Sequence, residues 1–267
     1  MESTSFLAYK NLIRIFVILL LGILLLIGIR AGCFFSKHLS SSQSIVIARH
    51  INWNDFDFTG KELNVQAFAE ELVLAAGKEA NLRIQFVPAN PNTLLEDLRA
   101  GNYDAVFTFI VPNSLNRQTY IFSHPLYELG SVLVVDEKSD AHRLEDMDGK
   151  IVGIIAGTSS IYDVSRYPSI ILVTYESMNA ALENLKNDKI DGVIMDIWHA
   201  QMMIHSFYDN KLKIATAPLT HQGLRLVSLG RPKSEEFIKF FNEGLARVKE
   251  KGLYKQLIQK WGLYDSP

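Results

Sequence analysis

Seven histidines, His38, His50, His124, His142, His199, His205 and His221, have the widest chemical range of any side chains in this sequence. No two of them stand in an H-E-x-x-H arrangement and none belongs to a short His–Cys cluster, so their spacing offers no metal site. A G-x-S-x-G elbow, which would present a nucleophilic serine, is missing as well. The sole cysteine, Cys33, follows an apolar N-terminal run, so thiol catalysis has no support either. The chemistry that remains is that of binding. Gly153-Ile154-Ile155-Ala156-Gly157 hints at a dinucleotide fingerprint but lacks its third glycine. A strand running into Gly157-Thr158-Ser159-Ser160 can aim N–H groups and hydroxyls at an anion, or can be an ordinary β–α turn with a Ser/Thr cap. These residues alone leave both readings open. Asp196 ends an apolar run before Ile197-Trp198-His199, where a carboxylate can hold an ammonium group or cap a helix.

Positioning such groups requires regular elements, and the chain alternates short β-rich runs with helical ones. Strands are predicted at 44–48, 83–87, 104–111, 131–135, 150–156, 170–175 and 192–195. Helices are predicted at 67–80, at 93–100 with Thr93 as N-cap and Gly101 as C-cap, and at 177–187. That alternation implies an α/β fold with largely parallel sheets. Phe237, Phe241, Leu245 and Val248, then Leu253, Leu257 and Trp261 after a break at Gly252, form an amphipathic helical stripe that reads as core packing.

Two segments resemble each other. LEDLRAGNYDAVFTF begins at Leu95 and LENLKNDKIDGVIMD at Leu182, with Leu, Glu, Leu, a basic residue, Asp and Val at matching positions. Each reads as a helix, a tight turn and a buried strand opened by an aspartate, which suits two similarly built lobes. In open α/β sheets ligands sit beyond the carboxyl ends of the strands. Thr108–Ile110 and Asp196 would then face one another across a cleft.

The chain has 267 residues and a formal net charge of −2, with 48% hydrophobic and 21% charged residues. This is globular composition and excludes a disordered chain. Lys10, Arg14 and Arg30 against Glu2 make the first 33 residues basic, so the remainder is mildly acidic. No clustered basic excess is left to bind nucleic acid. Ile15–Ile29 (IFVILLLGILLLIGI) is uncharged and follows Lys10 and Arg14, as in an export signal. At 1.5 Å per residue it spans only about 22 Å of a roughly 30 Å hydrocarbon core. Snorkelling of Arg14 and Arg30 would let it just cross, so residues 1–35 read as a cleaved signal or an uncleaved anchor. Arg30-Ala31-Gly32-Cys33 resembles a lipobox, with Arg30 where an aliphatic residue belongs, and makes Cys33 a lipidation candidate. Residues 36–43 form a serine-rich tether. The expectation is an exported globular domain in the cell envelope, held to the membrane by its N-terminal segment.

In order and spacing, Leu98–Val106 (LRAGNYDAV), Arg117, Phe122–Tyr127 (FSHPLY), Val132–Val135 and Leu144–Gly153 (LEDMDGKIVG) resemble the family 3 extracellular solute-binding proteins. Gly157-Thr158, Asp191–Asp196 (DGVIMD) and the stretch from Gly252-Leu253 to Lys260-Trp261-Gly262 extend the match. These proteins are the periplasmic receptors of polar amino-acid ABC transporters. The resemblance implies a two-lobe, type II periplasmic-binding-protein fold, with residues 44–132 and 222–267 in lobe one and 133–221 in lobe two. Hinge strands would lie near 131–135 and 224–229. It implies capture of an amino acid without cofactor or chemistry, and delivery to an ABC permease. By the same resemblance Asp196 meets the ligand ammonium, and Thr158 with Gly157 meets its carboxylate. Arg117 is the carboxylate-binding arginine, with Asn113 or Ser114 beside it. Trp53 and Phe56 stand where the family has an aromatic wall, although core packing is the preferred reading of Phe56.

The sequence also departs from the family. Four residues separate Arg117 from Phe122 where the family has five, and the segment before Arg117 is one longer, which displaces its side chain. Asp55 replaces the usual proline before the aromatic Phe. His50 stands where cation-binding members often carry an acid. These changes favour a neutral polar or acidic amino acid over a cationic one. Two other outcomes follow from the same fold. One is a dehydratase of prephenate-like substrates, with His50 or Glu128 as its acid. The other is a sensor or scaffold whose ligand site has decayed.

Overall fold

The computed structural model describes residues 44–53, 56–158 and 160–265. The apolar run, the tether, Cys33, Asp55 and Ser159 lie outside the described residues. Among those described, no helix is long and apolar enough to cross a membrane.

The first sheet contains β1 (Ile45–Ala48), β2 (Ile84–Val87), β3 (Ala105–Thr108), β4 (Tyr120–Phe122), β5 (Tyr127–Glu128) and β11 (Gly223–Leu229). Its order is β2-β1-β3-β11-β4, with β5 also pairing β11. The second contains β6 (Ser131–Asp136), β7 (Ile151–Ile155), β8 (Ile171–Tyr175), β9 (Gly192–Asp196) and β10 (Leu212–Ile214), in the order β10-β6-β9-β7-β8. Both sheets are mixed, not largely parallel as the alternation suggested. The strands β2, β1 and β3, and likewise β8, β7 and β9, run parallel. In contrast β11 is antiparallel to β3, β4 and β5, and β6 is antiparallel to β9 and β10. The antiparallel strands are those next to the passages between sheets: β6 opens the second sheet as the chain leaves the first, and β11 is where it returns. The 131–135 and 224–229 strands therefore lie wholly within separate sheets. The passages between sheets fall just outside them, where Leu129 N–H donates to the Gln222 carbonyl at 3.1 Å and Leu219 N–H to the Ser131 carbonyl at 2.7 Å.

Helix α1 (Glu62–Glu79) buries Val65, Phe68, Ala69, Leu72, Val73 and Ala76, the i, i+3, i+4 stripe of an amphipathic helix. It begins five residues before the predicted start: its first turn leaves Leu63 exposed, off the buried stripe, and the Asn64 amide is anchored by donating to the distant Trp261 carbonyl at 2.8 Å. Helix α2 (Leu94–Ala100) ends at a left-handed Gly101, as predicted, but Thr93 does not cap it. The Thr93 hydroxyl donates to Asp97 instead, at 2.7 Å. The strand predicted to run to 111 ends at Thr108, whose hydroxyl oxygen accepts from Ile110 N–H and turns the chain. The short helix α3 (Ser160–Val164) follows β7, and α4 (Met178–Lys186) follows β8. Helix α4 is capped by Ser177, which accepts from Ala180 N–H at 3.3 Å. Helix α5 (Ile197–Met203) follows β9, and α6 (Pro232–Glu250) and α7 (Leu253–Lys260) close the chain around a left-handed Gly252. Phe237, Phe241, Leu245 and Val248 of α6 pack with α1 into the core of the first sheet. Two further clusters, one holding Val132, Val134 and Val193 and the other Leu133, Val135 and Ile194, sandwich the second sheet.

The internal likeness survives in three dimensions. Asp104 accepts from Val46 N–H at 2.8 Å through its carboxylate and donates its own N–H to the Val46 carbonyl at 2.8 Å. Asp191 does the same with Ile151, again at 2.8 Å in each direction. In each half the aspartate fixes the register of a parallel strand pair by closing a ring with the first residues of its neighbour.

Candidate functional site

Parallel strands put their carboxyl ends, and the loops after them, on one side of each sheet, and there the two halves face each other. Phe56, Asp57 and Phe58 come from the loop after β1, and Phe109 and Val111 follow β3. Thr158 follows β7, and Asp196 closes β9 opposite Ser131 in the ladder. Together with Leu129, Trp198, His199 and Gln222 these residues line a cavity of about 420 Å³.

Its wall is aromatic. Phe58 is fully buried and holds Trp53 edge-on at 5.6 Å and Trp198 at 5.1 Å, while Phe56 lies 4.3 Å from Phe109. The indole N–H of buried Trp198 has no hydrogen-bond partner. Asp196 does two things at once. One carboxylate oxygen caps α5 by accepting from His199 N–H at 3.0 Å, and both oxygens lie within 2.9 Å of the His199 ring Nδ1. The Asp196 hydrogen bond raises the His199 pKa above its ordinary value, partly opposed by burial and reinforced by the charges of Asp196 and Asp57. The lining thus holds two carboxylates and one histidine, and neither arginine nor lysine. It suits a small solute with an apolar body and a positively charged group.

Of the residues singled out by sequence, Asp196, Thr158 and Phe56 meet in this cavity. Phe56 both packs on the core and faces the cleft. Trp53 packs behind the wall instead of lining it. The Thr158 hydroxyl donates to the Ile155 carbonyl at 2.8 Å, and its N–H to the same oxygen at 3.3 Å. Gly157 supplies the left-handed residue of that turn, at φ +75°. Arg117 lies outside the lining. The altered spacing turns its Nε to the Pro112 carbonyl at 2.8 Å and its guanidinium over Phe122 at 5.8 Å. Asn113 is tied up in its own turn, accepting from Asn116 N–H at 2.8 Å, and Ser114 is exposed beside it. His50 has a buried Nδ1 without a partner, and neither it nor Glu128 is among the residues that line this cavity. Among the described residues no cluster could hold a metal ion.

Phe109 lines the cavity with Asp196, from the 108–110 stretch expected to face it, whereas Asp57, Phe58, Trp198, His199 and Gln222 were missed. Only His199 carried a signal: three residues after a potential N-cap, its N–H falls on the Asp196 side chain.

With this geometry in hand, known proteins place the chain. Residues 45–264 match the bacterial extracellular solute-binding proteins, family 3. The chain belongs to that family. Among relatives of this solute-binding chain, the ABC transporter arginine-binding protein 1 of Escherichia coli (strain K12) is 25% identical over 231 residues, covering 85% of this chain and 94% of the relative. A probable histidine-binding protein of Campylobacter jejuni is 22% identical, covering 85% and 88%. The unliganded, open L-cystine solute receptor of Neisseria gonorrhoeae shares the fold, with a TM-score of 0.60 at 15% identity over 84% of this chain and 94% of that one. So does the second substrate-binding domain of a putative amino acid ABC transporter from Streptococcus pneumoniae, with a TM-score of 0.53 at 22% identity over 82% and 99%. This is the type II periplasmic-binding fold.

Proposed function

We propose that this family member is the receptor of an ABC importer and captures an amino acid in the cleft between the two sheets. The family is periplasmic, and its relatives include arginine- and histidine-binding proteins. One observation carries the reading: Asp57, Asp196 and His199 converge with an aromatic wall on a single cavity at the strand carboxyl ends. The solute brings positive charge, the reverse of the neutral or acidic ligand that the sequence favoured, because the lining offers carboxylates and no guanidinium. Residues 44–132 with 222–267 act as one lobe and 133–221 as the other, closing on the solute and excluding water. Residues 1–35 hold the receptor at the membrane through the 36–43 tether, by a lipid on Cys33 or by the apolar run itself. The tether raises the receptor's effective concentration at its permease.

Titration calorimetry of the full chain in detergent against the common amino acids tests this. At least one cationic or aromatic amino acid should bind saturably. Asp196→Asn should weaken it by about ten- to a hundredfold, the loss of one charge-assisted hydrogen bond. Uniformly flat titrations of folded protein would sink the proposal. They would favour a second reading, a sensor or scaffold with a decayed site, for which the turning of Arg117 away from the cleft speaks.

A further inference from the structure

A second cavity, of about 560 Å³, lies against the segment that runs from the second sheet back to the first, and Gln222 borders it as well as the cleft. Its lining is basic: Arg117, Arg225, His124 and His221, with Glu128 as its acidic member. Arg225 stands on β11 opposite Thr108 and is only 4% exposed. Its Nη1 donates to the Ser123 carbonyl at 3.4 Å and its Nη2 to the His221 carbonyl, while its Nε has no partner at all. The hydroxyl of Thr220, in the same lining, is buried and unpartnered too. Neither arginine belongs to an ion pair among the described residues. A buried cation is costly without an ion-pair partner, and the charges nearest Arg225 are a second guanidinium and the unpaired Glu128 carboxylate. Burial first, and Arg117 second, lower the Arg225 pKa, with Glu128 pulling the other way.

Two guanidiniums and a free hydroxyl on one cavity form a donor set that outweighs its one carboxylate, Glu128, which makes no ion pair with either arginine. The guanidinium fork matches the oxygens of a carboxylate or a phosphate. The volume falls in the range of small organic ligands. We propose that this cavity is a second ligand site, separate from the cleft, which binds a small oxyanion through Arg225 and Arg117 with the Thr220 hydroxyl as a further donor. Its wall joins the crossing segment at 217–222 to the first sheet, so an occupant bridges the passage between the two halves. The site does not depend on the cleft's own solute.

Titration calorimetry and thermal unfolding of the full chain in detergent test it, in a low-salt buffer free of carboxylates and phosphate. Inorganic phosphate forms one arm and succinate the other, each against sodium chloride at matched ionic strength. One of the two anions should bind saturably and raise the unfolding midpoint, and chloride should do neither. The arm that responds identifies the oxyanion. Arg117→Gln, at an exposed position that does not endanger folding, should weaken binding at least tenfold, and Thr220→Val several-fold. Lys189→Gln, at an exposed cation of the other sheet's half, should leave binding unchanged. No saturable binding in either arm would overturn the proposal, as would binding that keeps full affinity in both Arg117→Gln and Thr220→Val.

Discussion

Asp196 and His199 show how one side chain can serve fold and site together. The carboxylate caps α5 and holds the imidazole, so a helix cap and a charged wall of the cleft come from the same two residues. The linkage predicts a pH dependence. The folded-state pKa of His199 is raised above the unfolded value of about 6.5. The stabilisation it contributes is therefore full below that pH and is lost as pH rises through the folded-state value. Urea unfolding of the wild type and His199→Gln across pH 5.5 to 9 checks it. The wild type's advantage should shrink as pH rises, and an advantage that grows with pH would refute the assignment. Asp196 was legible in the sequence because a family motif ends on it. Arg117 was legible only as a residue type, and its spacing could not say that its side chain would lie on the Pro112 carbonyl and the Phe122 ring.

At the scale of elements, the strand-opening aspartates Asp104 and Asp191 matter most. Each accepts a backbone N–H at the start of a neighbouring strand, so alanine in its place removes the acceptor of Val46 N–H or Ile151 N–H. The cost should be about 1 kcal/mol at Asp191, whose bond is exposed, and up to about 3 kcal/mol at Asp104, whose bond is partly buried and which also pairs with Lys233, read by chemical denaturation. A clear loss at both positions would show that the repeated segments do the same work in both halves, and a loss at only one would show that they do not. The repeat itself could be read from sequence because helix, turn and aspartate are local features. The start of α1 could not, because Asn64 is held by the distant Trp261 carbonyl and not by its neighbours.

For the molecule as a whole, the cleft reading predicts that a bound amino acid draws the halves together. Small-angle scattering should show a smaller radius of gyration with the solute that gives heat in calorimetry, and an unchanged radius would argue against closure. The elements, their alternation and the family pattern were written in the sequence, because periodicity, turn residues and short motifs act over a few residues. The mixed direction of the sheets, the acidic and aromatic lining of the cleft and the outward turn of Arg117 were decided only by tertiary structure. Each depends on groups far apart in the chain, such as Asp57 and Asp196 or Arg117 and Arg225, which share an environment only once the two sheets are formed and joined.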